Sequence, residues 1–127
     1  MPPAIVFSDS AIRDPATGKL TLTGIFQRFN SSQFPFTSQP FFATVFVTNI
    51  AGEIKSLPVT MNIEDWCGHV ISTATGHVSA AERVERNYVP EIAFPLPPTE
   101  FKSAGQYKAV VLVGGEWLGY RVLNVTL

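Results

Sequence analysis

The chain has a single cysteine, two histidines and no block of like charge, nine lysines and arginines standing against ten aspartates and glutamates. The solitary Cys67 closes no intrachain disulfide and fits a reducing compartment better than a secreted disulfide framework. A net charge of −1 without a basic tract lacks the electrostatic footprint on which nucleic-acid binding rests, so no nucleic-acid partner is expected. No window approaches the roughly 18 consecutive apolar residues of a membrane helix. Met1 to Asp9 also has neither the basic n-region nor the apolar h-region of a signal peptide. We therefore expect a soluble, cytoplasmic protein with no membrane partner. Amphipathic helical periodicity is nearly absent too, and the one helix-compatible stretch, Ser79 to Arg86, is too short to stand alone and reads equally well as a strand.

What the chain does have is apolar content and β punctuation. At 46% hydrophobic, with ten phenylalanines, residues 1–127 can build one core as a single domain without a disulfide or metal staple. Ala104 to Val113 and Glu116 to Leu127 are strand-like runs joined by Gly114-Gly115, the pair that a type I′ hairpin turn favours because both central residues take positive φ. Asp14-Pro15-Ala16-Thr17-Gly18 is a second turn, between a run at Pro3–Ser8 and one from Lys19 to about Phe29. In that second run Leu20 and Leu22 share a face, and Gly24 before Ile25-Phe26 reads as a β-bulge or bend that brings Ile25 inward. Val59, Met61 and Ile63 alternate with polar residues, giving a half-exposed strand after a turn at Ala51-Gly52-Glu53. A further strand is expected over His69–Thr75, with Val70 and Ile71 reaching the core and Thr75-Gly76 as its turn. Pro95, Pro97 and Pro98 end the run from Tyr88 or confine it to a sheet edge.

Few constellations carry chemistry. Gly18-Lys19 fails as a phosphate loop, since Arg13 stands where a glycine is needed and Leu20 where Ser or Thr is needed. Cys67, His69 and His77 lie within eleven residues, and pairing of strands about Gly76 would let them converge on a metal with Asp65 or Glu64 as fourth ligand. Their spacing matches no established zinc motif, so they are kept as metal candidates only, and no cofactor is expected. On one strand Cys67 and His69 sit about 7 Å apart, too far for a nucleophile and its base. The carboxylates, Asp9, Asp14 and Asp65 among them, show no spacing that selects an acid–base pair or a Ca²⁺ loop. Trp66, Trp117, Tyr120 and Tyr88 are expected in the core, an exposed platform for sugar rings being the alternative. Phe34, Phe36 and Phe41, with Phe29, cluster around a loop and mark an interaction patch if they are exposed.

Asp9 through Phe26, together with Gly105-Gln106-Tyr107 and Gly115-Glu116-Trp117-Leu118, resembles a family of small uncharacterised bacterial β-sandwich proteins. The resemblance implies a compact β-sandwich in a bacterial cytoplasm and assigns no catalytic residue. The closing hairpin is also similar to those of immunoglobulin-like sandwiches, a likeness of fold and not of function. We expect an all-β, single-domain antiparallel β-sandwich, immunoglobulin-like, with about eight strands and its first strand near the last hairpin. Its core is expected to draw on Ile5, Phe7, Leu22, Ile25, Phe42, Val45, Val59, Met61, Ile63, Ile92, Phe94, Tyr107, Val111, Leu123 and Val125. The expected function is a non-catalytic binding or assembly module engaging a protein partner or a second copy of itself. The alternatives are a metal site or metal-dependent enzyme at Cys67, His69 and His77, or a carbohydrate-binding module.

Overall fold

The computed structural model describes residues 4–46, 57–78 and 91–127. Among them every regular element is a strand: β1 (Ala4–Arg13), β2 (Leu20–Phe26), β3 (Arg28–Asn30), β4 (Phe36–Thr37), β5 (Phe41–Phe46), β6 (Leu57–Glu64), β7 (Val70–Val78), β8 (Glu91–Leu96), β9 (Glu100–Phe101), β10 (Gly105–Val113) and β11 (Glu116–Thr126). About eight strands were expected; the surplus is the three elements of two or three residues, β3, β4 and β9. The turn at 51–53, the helix-or-strand stretch from Ser79 to Arg86 and Tyr88 lie outside the described residues.

Turn chemistry sets the two tight hairpins. Asp14 Oδ1 accepts the Ala16 N–H at 2.8 Å, Gly18 takes a φ of 72°, and the Asp14 N–H donates to the Lys19 carbonyl at 2.8 Å, closing β1 on β2. Gly114 and Gly115 both adopt positive φ between β10 and β11, as a two-residue hairpin requires. Gly24 makes no bulge: the β1–β2 register runs unbroken from Phe7 opposite Phe26 to Arg13 opposite Leu20. Glycine is needed there because φ is 70° and because Asp9 crowds the position, its Cγ standing 2.8 Å from where a Cβ would lie. Alternation therefore carries on through Gly24. Phe26 packs against the core, and Ile25, expected inside, is 63% exposed.

The strands form a four-stranded sheet in the order β2-β1-β5-β8, a five-stranded sheet in the order β3-β11-β10-β6-β7, and a β4–β9 ribbon. Pairing is antiparallel throughout except where β3 runs parallel to β11. Pro95 sits in β8, the last strand of its sheet among the described residues, the edge position to which proline is expected to be confined. Thr75 and Gly76 do not form a turn, because β7 runs straight through them beside Thr60 and Val59. A Cβ at Gly76 would stand 3.4 Å from both Ile92 and Phe94 of β8, in ordinary van der Waals contact.

One core joins the sheets, from Ile5, Phe7, Ala43, Val45 and Phe94 on one side to Val59, Met61, Ile63, Ala109, Val111, Leu123 and Val125 on the other. Of the expected core, Leu22, Phe42 and Ile92 are half-buried. A chain of aromatic rings ties in the ribbon. Phe26 meets Phe29 at 4.7 Å, Phe29 meets Phe41 at 5.3 Å and Phe101 at 5.6 Å, and Phe101 meets Tyr107 at 4.8 Å. These are the separations at which edge and offset ring contacts are favourable. The phenylalanines expected around an exposed loop thus turn inward: Phe41 is 2% exposed, and Phe29, Phe34 and Phe36 pack against the core.

The first strand does meet the last hairpin. Arg121 projects from β11 toward β1, donates to the Ile5 carbonyl and stacks 5.4 Å over the Phe7 ring. Arg13 pairs with Glu91 at 3.0 Å and donates to the Gly18 carbonyl at 2.7 Å.

These assignments fix a contrast in stability. Phe101→Ala should cost about 3–5 kcal/mol by urea denaturation, as expected for a fully buried ring at a junction of the core, whereas exposed Ile25→Ala should stay within about 0.5 kcal/mol. Comparable losses at both positions would contradict the inward path of alternation through Gly24.

Candidate binding face

The outer face of the five-stranded sheet is set by the β10–β11 register. From Gly105 opposite Val125 to Val111 opposite Gly119 the pairing is regular, and it then shifts by one so that Leu112 faces Trp117. The extra residue on β11 is Leu118, which packs toward the core. Residues three apart on a regular strand point to opposite faces. Because of the bulge, Trp117 and Tyr120 instead share the outer face, their ring centroids 6.1 Å apart and their planes at 47°.

A third ring joins them from the β6–β7 turn, held by one carboxylate. Asp65 Oδ1 accepts the N–H groups of Cys67 at 3.0 Å and His69 at 2.9 Å, and Oδ2 lies 3.1 Å from His69 Nδ1. The Asp65 N–H donates to the His69 carbonyl, and Gly68 completes the turn with a φ of 92°. Hydrogen bonds to the ionised form, the His69 N–H foremost, hold the Asp65 carboxyl below its ordinary value of 3.8. The turn presents Trp66 toward β10, where the Lys108 ammonium lies 5.2 Å from its ring centroid and 5.8 Å from that of Tyr120. Both distances are within cation–π range.

The three rings are open to solvent: Trp66 is 56% exposed, Trp117 62% and Tyr120 45%. The expectation that they pack inside is overturned, and the core aromatics are phenylalanines and Tyr107 instead. Lys108 lies opposite Glu64 in the ladder, yet no ion pair joins them; the ammonium is turned to the rings. Arg28 of β3 is opposite Asn124, an outward position of β11, and brings a second cation to the face. Neither Lys108 nor Arg28 was singled out by sequence reasoning. The alternation of Lys108 with the apolar Tyr107 and Ala109 was the available signal for the first. Nothing local announced the second, since its face depends on pairing with β11.

The sulfur and imidazole candidates do not converge. His69 precedes β7 and His77 lies near its end, and eight positions at about 3.3 Å per residue separate them by roughly 26 Å. Cys67 is exposed, and no hydrogen bond joins its sulfur to His69. Among the described residues no three His, Cys, Asp or Glu side chains gather as a metal would need. Asp9 faces Gly24 and Asp14 caps its own turn, so neither joins Asp65. Among the same residues no helix is long and apolar enough to cross a membrane.

Fold and face together define an all-β protein, rich in antiparallel pairing, that leaves a cluster of rings open on one sheet. The chain belongs to DUF6941, a family of unknown function whose model matches residues 3–126. No curated protein and no solved structure matches it.

The Asp65 turn gives a pH test. Since the folded carboxyl titrates below the unfolded value of 3.8, its support of the turn is complete above that value and is lost as pH falls through the folded pKa. Carboxyl NMR should give Asp65 a midpoint below 3.8, with the Cys67 and His69 amide shifts moving alongside it. A midpoint at or above the ordinary value would contradict the capped turn.

Proposed function

We propose that the protein is a non-catalytic binding module and that it takes its ligand on the outer face of the five-stranded sheet, by stacking against Trp117, Tyr120 and Trp66. The observation that carries this reading is the partition of the aromatics. The core is filled by phenylalanine, while both tryptophans of the chain lie together and open to water. Large rings gathered at the surface stay in water for no benefit to folding, and a patch of this kind is the usual mark of a binding site. The inward turn of Phe34, Phe36 and Phe41 moves the expected contact surface from the phenylalanine loop to this face. In layering we read the two sheets as an immunoglobulin-like sandwich, supported by their shared core and by the Arg121 link between β11 and β1.

The test is a fluorescence titration of the intact protein with panels of soluble glycans and of peptides. At least one ligand should quench or shift the tryptophan emission, and Trp117→Ala should abolish the response while leaving the thermal midpoint nearly unchanged. The ligand should be recovered chemically unaltered after prolonged incubation. Cleavage or modification of the ligand would overturn the non-catalytic reading, and a response undiminished by Trp117→Ala would overturn the choice of face.

A further inference from the structure

Resting on that reading, we infer that the ligand of this face is an acidic saccharide, its sugar rings stacking on Trp117 and Tyr120 and its carboxylates meeting Lys108 and Arg28. The argument begins with charge. The chain as a whole carries −1, but the outer face holds two cations, Lys108 and Arg28, against Glu64 in the ladder, the Asp65 carboxylate beside Trp66 being taken up by its own turn. Among the described residues neither cation makes an ion pair. Arg28 is two strands from Lys108 and two residues further along, which at ordinary sheet spacings puts their Cα atoms roughly 12 Å apart. Two separated cations suit a polymer with widely spaced negative groups. They are too few for nucleic acid, whose densely charged backbone calls for a track of them.

The chemistry around the rings points the same way. A sugar offers an apolar C–H face to an aromatic ring and hydroxyls at its rim, and here the rings lie beside the outward Leu112, Val110 and Val122 with hydrogen-bonding side chains bordering that apolar strip. Thr73 Oγ1 donates to Asn62 Oδ1 at 2.7 Å, and Gln106 lies opposite Asn124 in the ladder. Lys108, flanked by the Trp66 and Tyr120 rings, keeps its charge beside the stacking surface, where a carboxylate on the sugar reaches it.

The experiment compares oligogalacturonate with its methyl ester, which keeps the rings and removes the charge, using tryptophan emission and calorimetry on the full chain. The free acid should bind, esterification should weaken binding about a hundredfold, the worth of two charge-assisted hydrogen bonds, and added salt should weaken binding of the acid. Lys108→Gln and Arg28→Gln should each bring the acid toward the affinity of the ester, and Trp117→Ala should weaken both. Equal binding of acid and ester would overturn the acidic specificity while leaving the stacking face intact. Failure of both, with a peptide giving the tryptophan response, would overturn the saccharide and point to a protein partner. Failure of both with no response from any ligand would overturn the inference together with the proposed function. The esterification comparison uses the wild-type chain, so it holds even if a variant folds poorly.

Discussion

The two faces of β11, and the ring cluster on one of them, hang on a one-residue register shift between Val111 and Leu112. Side chains alternate with period two along a strand, so a slip of one residue exchanges its inward and outward sets. Carried on without the shift, the pairing dictated by the Gly114-Gly115 turn would put Tyr120 opposite Ala109, on the buried side, while Trp117 pointed out. With it, Leu123 and Val125 enter the core, Arg121 reaches across to Ile5 and Phe7, and Tyr120 joins Trp117 in solvent. The bulge thus sets the core and the exposed ring cluster together.

The partition of ring types follows. Phenylalanine has no polar atom to satisfy and fills the junction of the two sheets with the β4–β9 ribbon, which is closed by Ser38 and Thr99 through bonds of 2.9 and 3.1 Å. Tyr107, the one tyrosine in that core among the described residues, donates its hydroxyl to the Ser103 carbonyl at 2.7 Å. Tyr120, Trp66 and Trp117 have ring bodies suited to stacking and polar tips suited to water, and they remain on the outer face. Two devices organise them there, the bulge for Trp117 and Tyr120 and the Asp65 turn for Trp66.

What was legible in the sequence is what local chemistry decides. The Gly-Gly hairpin, the Asp14–Gly18 turn and the Val59, Met61, Ile63 alternation are each specified within a few residues, and each stands in the structure. The misreadings share a non-local cause. Gly76 reads as a turn residue, but the ladder to β6 runs straight through it; Gly24 reads as a bulge, but it accommodates Asp9 across the ladder. The phenylalanine loop reads as a patch because nothing near it in sequence reveals Phe101 and Tyr107, more than sixty residues later, as its packing partners. The proposed binding face was unreadable for the same reason. Its residues come from β3, β10, β11 and the β6–β7 turn, and only the pairing brings them together.

The most direct measurement is acrylamide quenching of the two tryptophans in the free protein, since both lie on the one face and report on nothing else. The structure predicts emission close to that of tryptophan in water, with both residues quenched nearly as fast as the free amino acid. A blue-shifted emission that resists quenching would place a tryptophan in the core. The register, the open ring cluster and the function built on them would then be contradicted together.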